Sequence, residues 1–490
     1  MLLIISSIFA ILFLLIKWYS NSTETKNSPP KLPIIGNLHQ LGQFPHRSFQ
    51  SLAKKYGPFM RLNFGRVPVL VISSADAAHE IMKTHDHVFA NRPPKINYDI
   101  LLYNFRDVSS APYGEYWRQL RSICVLHLLS AKSVRSFRAV REEETGLMME
   151  KIKHCSSSTS LPANLSELMA TTTNDIVCRV VLGRKYSGEN GKGFSKLLMD
   201  FTELLGAFVV GDYVPWLDWF SHLSGYYARA KKVAKQFDDL LEGVVEDHMN
   251  NPKGDSDEHD DFVEVLLWIQ RTESLGFPID KTVIKALLLD MFIAGTDTIS
   301  TLLEWSMTEL LRHPNIMKKL QEEVKRVANG RTHITEEDLS HMKYLNAVVK
   351  ETLRLHPSIP LLVPRESRQD IKLNGHHIKA GTRVFINAWA IARDPTHWDQ
   401  PEEFKPERFL NCSIDVKGKD FQVIPFGAGR RGCPGAVYAT AVNDLVLANL
   451  VHQFNWELPG AAEGLDMSES FGFTVHRKIP LMAIATPYKN

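Results

Sequence analysis

The sequence is poor in cysteine and has no cysteine pair. Cys124, Cys155, Cys178, Cys412 and Cys433 are scattered along the chain, and none forms C-x-x-C. This excludes a disulfide framework and a structural zinc site, and fits a reducing compartment. Net charge is nearly absent: 57 Lys and Arg stand against 55 Asp and Glu, which leaves +2. No global field therefore points to nucleic acid or to a strongly acidic partner. There is no internal repeat and no alternation of strands with helices, which argues against a βαβ chain. His85-Asp86-His87 and His376-His377 lack a third ligand at useful spacing and read as loop or strand histidines rather than metal sites. What is present is a chain of 490 residues, 44% hydrophobic and 23% charged, long enough for a large core.

One apolar run stands apart. Leu2 to Ile16 carries no charge and is followed by Lys17, Trp18 and Tyr19. At about 1.5 Å per residue, the run through Tyr19 just reaches across a hydrocarbon core of roughly 30 Å. No charged segment precedes it and no clear A-x-A site follows it, while Lys17, Lys26 and Lys31 all lie after it. A single anchor with the rest of the chain in the cytosol is favoured over a cleaved signal peptide. Asn27 to Asn37 (NSPPKLPIIGN) is a stiff Pro-rich connector. The expected organisation is a membrane anchor at 1–19, a Pro-rich hinge at 20–37 and one domain at 38–490.

Within that domain, Met60 to Ser74 reads as two short strands around a turn, and Ser74 suits the N-cap of the helix that follows. Lys132, Arg135, Arg138 and Arg141 recur every three residues and read as a basic, solvated helix face. His248 to Asp261 is a polar, breaker-rich surface loop. The longest pattern runs from Asp280 to His313, just before Pro314, as a buried helix of about nine turns. Short strands are expected around Ile371 to Trp389, then a Pro-rich meander at 394–426, and a last helix from Pro434 to about Phe454. The fold class is mainly α with small antiparallel β-sheets.

The stretch Phe426 to Gly435 (FGAGRRGCPG) carries two signals at once. Gly427, Gly429 and Gly432 spell G-x-G-x-x-G, the dinucleotide fingerprint. Its context fails: Pro425 interrupts the approach, and too little chain remains after it for a doubly wound domain. The other signal is Cys433 at a helix start, where the dipole and free N–H groups favour a thiolate. Pro434 suits the first helical turn, Phe426 can shield the sulfur, and Arg431 can meet a ligand carboxylate.

At this point the chain resembles a known family. Phe426, Gly429, Arg431, Cys433 and Gly435 match every fixed position of F-x-x-G-x-R-x-C-x-G, the heme-binding signature of cytochromes P-450. Other marks follow in order: Trp117 and Arg121 in WRQLR, Ala294 to Thr298 (AGTDT), Glu351 and Arg354 in ETLR, and Pro406 to Phe409 (PERF). The chain is similar to the plant microsomal A-type enzymes of specialised metabolism along essentially its whole length.

The resemblance implies the cytochrome P-450 fold behind an N-terminal transmembrane anchor, with 38–490 as the heme-thiolate catalytic domain. Heme b (iron protoporphyrin IX) is implied as cofactor, with Cys433 as its metal ligand. Trp117, Arg121, Arg365, Phe426, Gly427, Arg431 and Gly435 are implied to bind the heme, the arginines through its propionates. Asp297 and Thr298 are implied to deliver protons; Ile299 stands where the family usually has Thr or Ser. Glu351, Arg354 and Arg408 are implied to support the site as a buried network. Phe208, Phe292, Ile293, Ala294, Ile359, Leu362 and Phe473 are implied to line an apolar pocket, within a set that also takes in 97–105, 359–363 and 471–474. No flavin or NADPH domain is visible, so a separate NADPH-cytochrome P-450 reductase on the endoplasmic-reticulum membrane is implied, met by a basic surface that includes Arg430. The expected activity is monooxygenation of a small hydrophobic plant metabolite: a terpenoid, coumarin or related aromatic. An isomerase or dehydratase acting without oxygen, or a non-catalytic heme protein, stays open on the residues alone.

Overall fold

The computed structural model describes residues 28–158, 162–186, 191–251, 260–272, 277–459, 464–470 and 472–488. The expected anchor at 1–19, the hinge up to residue 27, residues 252–259 of the polar loop and Phe471 lie outside the described residues.

Helices dominate, and α9 (Lys281–Arg312), 32 residues long, organises them. The Asp280 side chain caps its start by accepting from the Val283 N–H, and the helix stops at His313, where Pro314 forbids continuation. By length and composition α9 could cross a membrane, but it is mostly buried inside the protein and serves as the core helix. It packs on α6 (Leu165–Leu182), on α8 (Tyr226–Asn250), on α10 (Lys343–Leu355) and on α11 (Ala436–Gln453). Gly295 lets α9 and α6 approach, since a Cβ there would sit 3.3 Å from Val177.

In chain order, α1 (Pro45–Tyr56) leads into the hairpin of β1 (Phe59–Phe64) and β2 (Val67–Ile72). Gly65, in the left-handed region at φ +57°, turns the hairpin. Ser74 stands at the N-cap position of α2 (Ala75–His79) without a side-chain capping bond. A widened π-turn, Glu80–Thr84, extends α2. Next come α3 (Ile96–Leu101), α4 (Glu115–Ser122), α5 (Arg138–Ser158), β3 (Ala163–Asn164) and α7 (Gly191–Gly206).

The remaining strands are β4 (Arg365–Glu366), β5 (Ile371–Leu373), β6 (His376–Ile378), β7 (Arg383–Ile386), β8 (Phe454–Glu457), β9 (Glu469–Ser470), β10 (His476–Arg477) and β11 (Met482–Pro487). The largest sheet runs β1-β2-β7-β4.

The fold is mainly helical with small antiparallel sheets, as expected, but not every pairing is antiparallel: β2 and β7 run in parallel, Val69 opposite Arg383. These strands lie more than three hundred residues apart, so no hairpin sets their direction. One expectation is corrected: the basic stripe is not one solvated face. The helix carrying Lys132 and Arg135 ends at Ser136, and α5 starts anew at Arg138. Arg141 is fully buried in a forked ion pair with Glu336, and Arg138 bridges Glu142 and Glu337.

Candidate functional site

The cysteine loop is shaped by backbone demands. Gly427 and Gly429 take φ +66° and +68°, and a Cβ at Gly429 would collide with the Met82 carbonyl oxygen and with Asp86. That glycine therefore serves the contact with the π-turn after α2. No strand enters the loop: a 3₁₀ turn, Gly429–Arg431, leads to the cysteine, and α11 starts at Ala436. The Cys433 N–H donates to the Phe426 carbonyl at 2.8 Å and the Gly432 N–H to Gly429 at 2.9 Å, which closes the loop behind the sulfur. Burial pushes the Cys433 thiol up, while the Gly435 N–H and the Arg121 charge pull it down; the net direction is upward. The helix start by itself does not make a thiolate here.

Four guanidinium groups gather beside this loop. Arg431 donates to the carbonyls of Ala90, Val108 and Ala111 and lies 4.2 Å from the Trp117 ring. Trp117 donates its Nε1–H to Val108 at 3.0 Å. Arg365 bonds Asp86 at 3.0 Å and the Ala428 carbonyl at 2.6 Å. Arg92, which the sequence reading missed, donates to Ser109, Val363 and Pro364. Burial and mutual repulsion lower Arg92 to about 9 and Arg431 to about 8; burial also lowers Arg365 and Arg121. The cluster holds more buried positive charge than Asp86 and Asp107 balance. Arg430, expected on a basic surface, keeps its side chain 47% accessible and is tied to Asp86 by its N–H at 2.9 Å and its guanidinium at 3.0 Å.

Behind the loop, the structure brings Glu351, Arg354 and Arg408 together. Glu351 and Arg354, one turn apart on α10 and both 0% exposed, form a forked pair at 2.7 and 2.8 Å. Arg408 Nε and the Lys405 N–H reach the same Glu351 oxygen at 3.1 and 2.8 Å. Arg354 also donates to the carbonyls of Ala392, Pro401 and Glu403, which fastens the meander to α10.

On α9, the Thr298 hydroxyl donates to the Ala294 carbonyl at 2.7 Å. Asp297 accepts from Thr474 at 2.5 Å and faces His476 at 3.0 Å. Thr474 was expected only within the pocket set 471–474, and His476 was assigned no role from the sequence. The helix is unbroken here; Thr296, Thr298 and Thr301 each bond back to a carbonyl four residues earlier.

The expected pocket residues divide. Ala294 and Cys433 keep accessible surface although both sit within the body of the fold. Ile359, Leu362 and Phe473 are half-buried, and Ile293 is buried. Leu362 holds φ +53°, an uncommon backbone for leucine, and its Cδ1 lies 3.7 Å from where a Gly427 Cβ would stand. Two assignments are corrected. Phe292 points into the core, 5.4 Å from Phe194 and 6.2 Å from Phe237. Phe208 is 54% exposed and stacks on Tyr213 at 4.9 Å.

These residues fit a heme. The set offers one soft donor on a residue that keeps accessible surface, and a buried cation cluster short of anions, the partner that two propionates would supply.

The family model described as Cytochrome P-450 matches residues 27–482. The chain belongs to the cytochrome P-450 family.

It is 57% identical to cytochrome P-450 736A117 of Prunus mume, over 97% of this chain and 94% of that one. It is 53% identical to cytochrome P-450 71A25 of Arabidopsis thaliana (98% and 96%) and 51% identical to norfluorocurarine oxidase of a Strychnos species (98% and 96%). Among solved structures, a zebra fish cytochrome P-450 with progesterone superposes at TM-score 0.79 and 27% identity, over 91% of this chain and all of that chain. This P-450 is thus a heme-binding monooxygenase of the plant type, and the family's use of electrons from NADPH through a reductase applies to it.

Proposed function

We propose that this P-450 is an endoplasmic-reticulum enzyme, anchored by residues 1–19, that inserts one atom of O2 into a small hydrophobic plant metabolite. The observation that carries the pocket reading is the accessible surface of Ala294 and Cys433 inside the fold, beside half-buried Ile359, Leu362 and Phe473. A small apolar molecule suits that lining. The relative named norfluorocurarine oxidase supports an oxidation in a plant.

A thiolate-ligated heme supplies oxygen activation, because the sulfur pushes electron density to the iron and favours O–O cleavage. The residues of this chain do the rest. Cys433 provides the sulfur, held by the Gly435 N–H and the closed loop. Arg92, Arg121, Arg365 and Arg431 offer charge to the propionates. Asp297 and Thr298 hold and pass protons. Glu351, Arg354 and Arg408 keep the meander in place behind Cys433. The alternatives that dispense with oxygen gain no support from the homologues, which are cytochromes P-450 and an oxidase.

The test is a screen of terpenoids, coumarins and aldoximes by heme difference spectra, followed by turnover in reductase-containing microsomes under labelled O2. One labelled oxygen per product molecule is expected. An unlabelled product formed without NADPH would replace this reading with an isomerase or dehydratase.

A further inference from the structure

Asp297 does not stand alone on α9. Its Oδ1 lies 3.0 Å from His476 Nε2, and its Oδ2 accepts from the Thr474 hydroxyl at 2.5 Å. His476 opens β10, and its Nδ1 lies 2.9 Å from the Thr301 hydroxyl. The Thr474 hydroxyl also lies 2.7 Å from His476 Nε2.

The contacts accommodate a charged pair. A threonine hydroxyl has a single hydrogen to donate. Thr474 gives its own to the Asp297 carboxylate, and Thr301 gives its own to the Asp297 carbonyl oxygen at 2.8 Å. With those hydrogens so placed, each hydroxyl is left to accept from the imidazole, and a ring with hydrogen on both nitrogens satisfies every one of these contacts. The geometry accommodates an imidazolium beside a carboxylate. Electrostatics agree with the geometry. Burial lowers His476, but the bond and charge of Asp297 outweigh it and raise the imidazole above its ordinary value. Burial raises Asp297, but the His476 bond and charge, with Thr474, outweigh it and hold the carboxyl below its ordinary value.

The other charged groups around the pair are occupied. Glu304, the next acid on α9 that acts on His476, accepts from the Arg477 N–H at 3.3 Å and from the Ser166 hydroxyl of α6. The Arg477 guanidinium, beside His476 on β10, donates to the Ile479 carbonyl. Glu469, on the paired strand β9, is held by Arg47 and faces His46. The His476 side chain is 35% accessible and that of Asp297 16%, so the imidazole is the end of the pair open to proton exchange.

We propose that His476 is the proton-positioning residue of this enzyme, holding the proton that Asp297 passes on toward Thr298 and the reacting oxygen. In the step, the Nε2–H bond of His476 breaks as an O–H bond forms on Asp297 Oδ1, which leaves a neutral imidazole and a neutral carboxyl. Asp297 then gives that proton up and returns to the carboxylate, and solvent water reprotonates the imidazole. O2 and the reductase electrons complete the balance. The proposal rests on the monooxygenase reading above, and deepens the proton-delivery role given there to Asp297 and Thr298.

The experiment uses full-length holoenzyme as wild type, His476→Gln, His476→Lys and Asp297→Asn. The carbon monoxide difference band is recorded first; its loss in the wild type would sink the monooxygenase reading itself, separately from this proposal. In variants that keep the band, NADPH coupling is measured across pH with the terpenoid or coumarin giving the largest binding spectrum. Wild-type coupling should fall as pH rises through the His476 value. His476→Gln should be at least about tenfold less coupled, with that limb of the profile gone. His476→Lys keeps a cation beside Asp297 but binds its proton too tightly, so coupling should stay low, whereas a merely structural partner would be rescued. A second readout needs no turnover and no folded variant at position 476. In holoenzyme labelled with ¹⁵N-histidine, one imidazole should titrate above about 6.5 and drop in Asp297→Asn. A wild-type profile in His476→Gln, full coupling in His476→Lys, or no histidine whose titration responds to Asp297→Asn would each overturn the proposal.

Discussion

Replacing Glu351 with alanine is expected to cost this protein its heme before it costs it its fold. The carboxylate receives two bonds from Arg354, one from Arg408 and one from the Lys405 N–H, in a place where neither it nor Arg354 has any exposed side-chain surface. Without it, the Arg354 guanidinium stays buried with three carbonyls but no counter-charge. Stranding one partner of a buried pair costs about 3–5 kcal/mol. An unfolding entropy of about 2.1 cal/mol/K per residue gives about 1 kcal/mol/K for this chain of 490 residues, so the Tm should fall by about 3–5 °C. The strain falls on the meander that Arg354 and Arg408 hold, so the carbon monoxide band should decline at temperatures where far-UV circular dichroism is still native. A cycle with Arg354→Ala should show coupling of about 1–3 kcal/mol, because the second loss removes the stranded charge. A Glu351→Ala protein within 1 °C of wild type, roughly a third of the smallest shift expected, and with a full, stable band would refute the reasoning.

Four further outcomes are expected. Gly429→Ala should cost at least about 1–2 kcal/mol for the left-handed backbone alone, with the Met82 collision in addition, and heme content of the purified protein is the readout. Arg431→Lys keeps a charge but loses the fork that ties Ala90 to Ala111, and should speed heme transfer to a scavenger globin by about tenfold or more. Thr298→Ala should keep the carbon monoxide band while NADPH use uncouples from product, and full coupling would count against its role. Glu309→Gln should destabilise most near pH 5–6, by thermal denaturation across pH: His313 and His356 hold Glu309 below its ordinary value, so its contribution is present above about 4.3 and fades as pH falls through its lowered value, while the contribution of His313, raised by Glu309, is present below about 6.5 and fades as pH rises through its raised value.

What could be read from the sequence was local. Asp280 and Pro314 bracket α9, the run Met60 to Ser74 alternates into a hairpin, and the glycines around Cys433 announce an unusual loop. What could not be read depends on distant partners. Asp86 joins Arg365 and Arg430 across more than 270 residues, and β7 aligns with β2 across a similar gap. Arg92 sits in an unremarkable stretch, and only the folded chain places it among the other guanidiniums. His476 carries no motif; the pairing of β10 with β9 against α9 brings it to Asp297. α9 is apolar nearly all round, so its periodicity could not say that Phe292 faces the core rather than the pocket. The basic stripe misled because its spacing suits one helix, whereas the chain breaks at Phe137.

The central claim is that Cys433 is the thiolate on which the heme chemistry depends. The most direct measurement is the reduced carbon monoxide difference spectrum of the wild type and of Cys433→His, each reconstituted with heme. The wild type should give the thiolate band at about 450 nm that is characteristic of the family, and Cys433→His should bind heme yet lose that band. A band at about 450 nm that persists in Cys433→His would contradict the account.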